Sequence, residues 1–142
     1  MNLVRSVRWS VLLVLLCCTS CQTDSKQQVL ATNASQVALR AVQTRVFDTN
    51  DRLRTIKTVI ATLQDLGFVV DQADPELGTV SATKLDRYVM RMTVTVRPRG
   101  PQRTAVRASA QYELEAVSDA KPYQQFFEAL EKAMFLTANQ VN

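Results

Sequence analysis

The chain has 142 residues, 46% of them hydrophobic, with 17 Lys and Arg against 13 Asp and Glu for a formal charge of +4, and it contains three cysteines and no histidine. The missing imidazole takes away the commonest general base, the commonest transition-metal ligand and the usual proton switch near neutral pH. All three cysteines lie at or before Cys21, so the remainder has no thiol nucleophile, thiolate ligand or disulfide, and its stability must come from packing.

Residues 1–21, MNLVRSVRWSVLLVLLCCTSC, open with Arg5 and Arg8, continue through an apolar run over Val11 to Leu16, and end with small polar Thr19 and Ser20 before Cys21. That order is the layout of a secretory signal. The apolar core is shorter than the roughly 20 residues a bilayer-crossing helix needs.

Cys18-Thr19-Ser20-Cys21 resembles the lipobox of bacterial lipoproteins, in which small residues precede a cysteine that is acylated and becomes the new amino terminus. The position three before the cysteine, usually leucine, is Cys18 here, and Cys18 itself is a poorer competing acceptor. The resemblance implies a signal peptide over 1–20, lipidation of Cys21 and membrane attachment through its acyl chains. Gln22 stands where lipoproteins kept at the inner membrane usually carry aspartate, which points to the outer membrane with the domain in the periplasm. An uncleaved anchor or a plain signal peptide is the alternative. Several acyl chains on one residue would hold firmly, since each buried methylene contributes about 0.8 kcal/mol and one chain gives only reversible binding.

Removing Arg5 and Arg8 from the 17 basic residues leaves 15 against 13 acidic ones, so the basic balance does not argue for nucleic acid. From Gln22 to about Gln36 the chain is polar, with no sustained period, and reads as a tether; the segment 21–39 thus joins the lipidated cysteine to a single domain over 40–142. A flexible segment of that length spans roughly 20 Å root-mean-square. A short helix through Val37 to Val42 is the alternative.

In Arg40 to Phe47, Val42, Thr44 and Val46 alternate with Gln43 and Arg45, which predicts a strand with those three on its covered face. Asp48 to Asp51 offers helix N-caps. The helix that follows carries Leu53, Ile56, Val59, Ile60, Leu63 and Leu66 on its apolar arc, with Thr58 and Thr62 among the residues on the other. Gly67 ends it in a left-handed C′ position, with Phe68 placed to touch Leu63.

A short strand over Phe68 to Asp71 leads into Asp74-Pro75-Glu76-Leu77-Gly78, a run of turn residues, and Thr79 to Lys84 returns as a strand. Two longer strands carry the clearest alternation. Over Arg87 to Arg97 the inward set is Tyr88, Met90, Met92, Val94 and Val96; over Thr104 to Glu115 it is Val106, Ala108, Ala110, Tyr112 and Leu114. Pro98 to Gln102 connects them. A second helix after Pro122 runs to about Thr137, with Tyr123, Phe126, Phe127, Leu130, Ala133 and Met134 as its stripe and Glu128 with Lys132 as an outer i,i+4 pair.

The order β-α-β-β-β-β-α predicts an α+β two-layer sandwich, one antiparallel sheet of about five strands with two helices on one face. This layout, with its Leu66-Gly67-Phe68 corner and glycine-led strand at Gly78, resembles the helix-grip domains of small envelope lipoproteins such as the lipoprotein subunit of the β-barrel assembly machine. The resemblance implies a non-enzymatic accessory that docks on or helps assemble an envelope protein complex, and it carries no catalytic residue across.

Glu113, Glu115 and Asp86 are the carboxylates to weigh for acid–base work. Beside Arg91 and Arg107 across a hairpin the glutamates read instead as solvated ion pairs. No glycine-rich phosphate loop or EF-hand series occurs, so neither an enzyme nor a cofactor nor a metal site is expected. Arg91, Arg97, Arg99, Arg103 and Arg107 are the one cluster with a possible role, because a planar guanidinium suits carboxylates and phosphates. They suggest a second function, binding of an anionic lipid or glycan such as lipopolysaccharide. Their ordinary role would be a solubilising face and a charged hairpin tip that guards against edge pairing.

Overall fold

The computed structural model describes residues 35–138, so the leader, Cys21 and the tether up to residue 34 lie outside the described residues. The elements in order are a helix over 35–42 (α1), β1 (Thr44–Phe47), α2 (Arg52–Asp65), β2 (Val69–Asp74), β3 (Thr79–Leu85), β4 (Val89–Pro98), β5 (Thr104–Tyr112), β6 (Glu115–Ala116) and α3 (Lys121–Ala138). The class is α+β. One antiparallel sheet runs β1-β5-β4-β3-β2, with β6 added to β5, so β4 and β5 are interior strands.

The first strand is shorter than the alternation suggests, and its faces are reversed. Residues 40–42 are helical, and Leu39 and Val42, three apart on α1, pack against the core. Gln43 makes the corner: its N–H donates to the Leu39 carbonyl and its own carbonyl accepts from Ala108. Starting β1 at Thr44 puts Arg45 opposite buried Val106, while Thr44 and Val46 stand opposite Arg107 and Ala105 on the other face. A one-residue change of register exchanges every side chain between faces. Arg45 tolerates the inward side because its guanidinium lies 5.3 Å from the Phe127 ring centre and reaches the Glu131 carboxylate at 3.7 Å. Glu128 and Lys132, expected as an i,i+4 pair, form no ion pair among the described residues.

Helix α2 is capped at its start by Asp51, whose side chain accepts from the Arg54 N–H at 2.8 Å. At its end Phe68 N–H donates to Leu63 C=O and Gly67 N–H to Gln64 C=O, with Gly67 at φ +83°, the paired bonds of a Schellman cap. Lys84 Nζ adds a bond to the Leu66 carbonyl. The buried stripe is Ile56, Val59 and Leu63, whereas Leu53 is exposed. Thr55, Thr58 and Thr62 are buried too, Thr58 and Thr62 against their expected outward placement, because each hydroxyl donates to the carbonyl four residues earlier and leaves its methyl to pack.

Strands β3, β4 and β5 place Val80, Ala82, Met92, Val94, Val96, Val106, Ala108 and Ala110 in one cluster with the α2 stripe and with Tyr123, Phe126, Phe127 and Leu130 of α3. Burial of each large apolar side chain there stabilises the fold by about 1.5–3 kcal/mol before entropy is counted. Tyr123 is also a polar hub: its hydroxyl donates to Val117 C=O and accepts from Ala110 N–H and Gln43 Nε2, tying α3 to β5, the segment after β6 and the α1–β1 corner.

The last long strand ends earlier than its alternation implies. After Tyr112 the chain turns through Glu113, at φ +53°, and Leu114, and returns as β6, which pairs with β5. Leu114, expected inside, is 95% exposed.

Candidate functional site

Two surfaces stand out once the core is subtracted. The first is the sheet face opposite the apolar cluster. Strand register sets Thr79, Thr95, Arg107 and Thr44 side by side across β3, β4, β5 and β1; Ser81, Thr93 and Ser109 form the next row, and Thr83, Arg91 and Gln111 the third. These side chains are exposed or half-buried. Their mutual hydrogen bonds are few and long, such as Ser81 to Thr93 at 3.4 Å. A shallow depression of about 560 Å³ lies on this face, lined by Thr44, Thr93, Thr95, Arg97, Arg107 and their small neighbours.

The five arginines expected to act together divide into three groups. Arg97 and Arg107 are diagonal neighbours, since Arg97 pairs with Ala105 and Arg107 with Thr95. Arg91 stands apart, beyond the Thr93–Ser109 row. Arg99 and Arg103 sit in the β4–β5 loop, closed by a bond from Arg99 N–H to Arg103 C=O. None of the five is in an ion pair among the described residues, whereas Arg45 pairs with Glu131.

The carboxylates expected beside Arg91 and Arg107 are elsewhere. Glu113 occupies the turn, and Glu115 pairs with Tyr112, which follows the inward parity of Met90, so reversal at 113–114 puts Glu115 on the opposite side of the sheet from the arginines. Asp86 lies in the β3–β4 turn, and all three are exposed. Cys21 lies outside the described residues. Among the described residues no group of three or more Cys, Asp or Glu side chains is placed to hold a metal ion, and no helix is long and apolar enough to cross a membrane.

The second surface was not foreseen. At the end of the sheet where β3 meets β4, Leu85 pairs with Val89, and Glu113 N–H donates to Val89 C=O, which brings Leu114 to the same end. Tyr88 and Tyr112, both expected on the covered face, are exposed there and meet edge to face with ring centres 6.4 Å apart. Leu85 is 75% exposed and Tyr88 69%. Beside them a cleft of about 370 Å³ opens between Lys84, Asp86, Arg87, Tyr88, Tyr112 and the first turn of α3, and a smaller recess that shares Lys84 and Met90 with it is lined by Phe68, Met92 and Phe126. The sequence held one usable signal: Leu85 and Tyr88 bracket a polar Asp86-Arg87 pair, a pattern that fits a tight turn as well as a strand.

No protein-family model matches this chain, and no curated protein matches it in sequence.

Proposed function

We propose that the protein is a non-enzymatic outer-membrane lipoprotein, fastened by acyl chains on Cys21, whose periplasmic domain docks on an envelope protein complex. The leader layout supports the anchor. The observation that carries the docking is the exposed cluster Leu85, Tyr88, Val89, Tyr112 and Leu114 at one end of the sheet. Tyrosine is enriched where partners bind, presenting a large rigid ring at small entropic cost. The cleft beside it, lined by Lys84, Asp86, Arg87, Asp119 and Lys121, offers a partner a polar border, and the neighbouring recess lined by Phe68, Met92 and Phe126 offers a place to bury a side chain.

A photocrosslinking residue in place of Tyr88 in intact cells tests the docking. The account expects a discrete adduct with an envelope protein, absent when the same group replaces Ser109 on the far face and lost when Leu114→Ser is added. An equal adduct from both positions, or none from Tyr88, would overturn it.

A further inference from the structure

We propose that Arg97 and Arg107, with the hydroxyls of Thr44 and Thr95, form a binding site for a phosphate monoester on the open face of the sheet. The proposal gives the arginine cluster's second reading a defined ligand class and does not depend on the docking surface.

Of the ordinary roles, a solubilising face accounts for charge on the open side but not for two arginines placed as neighbours, and protection of an edge against pairing does not apply, because β4 and β5 are interior strands, with β3 on one side and β1 on the other. Arg97 and Arg107 instead sit as diagonal neighbours, roughly 7–8 Å apart by sheet geometry, where like charges repel. The acidic residues of the sheet nearest in register are Asp71 and Asp74 on β2, with β3 intervening; Asp71 accepts from Thr83 and Asp74 from the Leu77 N–H. Two arginines thus line one depression, and among the described residues its lining includes no carboxylate.

The small side chains decide the shape. Ala105 beside Arg97, and Thr44 with Thr95 flanking Arg107, leave the floor low between two long guanidinium stems. The Thr44 hydroxyl has no hydrogen-bond partner among the described residues, and that of Thr95 has only a 3.5 Å contact to Arg107 C=O. A carboxylate offers two oxygens and is filled by a single arginine fork. A phosphate monoester offers three terminal oxygens and up to two negative charges, which matches two forks and a hydroxyl donor. The depression, about 560 Å³, is large enough for the carrier of the phosphate as well as the group itself.

The test uses the full chain in zwitterionic detergent, followed by amide chemical shifts at Thr95, Arg97, Ala105 and Arg107. One arm titrates glucose 6-phosphate; the other dopes the micelles with phosphatidic acid. Saturable shifts at these amides are expected, and the arm that produces them distinguishes a soluble ester from a lipid head group. The R97Q/R107Q pair should weaken binding at least tenfold and R97K/R107K at least threefold, since lysine keeps the charge but loses the fork. The R91Q/R99Q pair, which removes the same charge away from the depression, should stay within twofold. Equal weakening by R91Q/R99Q, no penalty for the lysine pair, or no saturable shift in either arm would overturn the proposal.

Discussion

The two faces of β4 and β5 are made by the same backbone and differ only in the parity of the residue number. Val94, Val96, Val106 and Ala108 are fully buried, while Thr95, Arg97, Arg107 and Ser109 between them face outward over a shallow depression. The inward set holds the fold together, and the outward set carries charge that packing does not require. The contrast separates residues kept for stability from residues free to be spent on binding.

The sharpest way to break the contrast is to damage the inward set. Phe126, fully buried in the shared cluster, should cost about 3–5 kcal/mol when replaced by alanine, read as a fall in the urea midpoint. The next effect is at Gly78. It sits at φ +68°, and a Cβ there would collide with the Val96 carbonyl and meet the Arg52 guanidinium at 2.6 Å. The positive-φ conformation costs about 1–3 kcal/mol at either glycine, and the collision is added only at Gly78, so G78A should lose more than G67A, where a Cβ meets nothing nearer than Lys84 at 3.7 Å. Paired denaturation curves check the order. Tyr123→Phe keeps the ring and removes the hub, leaving Gln43, Ala110 N–H and Val117 C=O each short of a partner, a loss of about 1–3 kcal/mol by the same measurement. The smallest change belongs to the outward set: R97Q/R107Q should shift stability by no more than about 0.5 kcal/mol, and a drop comparable to the Tyr123 variant would show that these arginines serve the fold.

Much of the inward set was legible in the sequence because its signals are local. The Leu63–Gly67–Phe68 corner follows from one glycine and the spacing of two apolar residues, and α3 follows from its stripe. The expected antiparallel sheet of about five strands is present, with a short sixth. What stayed hidden depends on where the chain reverses. Arg45 looks like an outward residue, yet its stem and charge are accommodated by Phe127 and Glu131, which lie far along the chain. Leu114 continues the alternation of β5 without interruption, so the turn through Glu113 left no mark on the hydropathy pattern. Thr55, Thr58 and Thr62 looked polar, but back-bonding satisfies their hydroxyls.

The candidate sites show the same division. The spacing of five arginines pointed to the outward parity for Arg91, Arg97 and Arg107, but which two adjoin is fixed by strand register. The tyrosine end was missed because alternation alone assigned Tyr88 and Tyr112 to the core, whereas both lie at the end of the sheet and are exposed.

The claim on which the functional account rests is that residues 1–20 are removed and Cys21 is acylated. The intact mass of the protein extracted from native membranes tests it directly. The account predicts a chain that begins at Cys21 and carries the added mass of its acyl groups; a mature chain with an unmodified amino terminus, or one that retains residues 1–20, would contradict it.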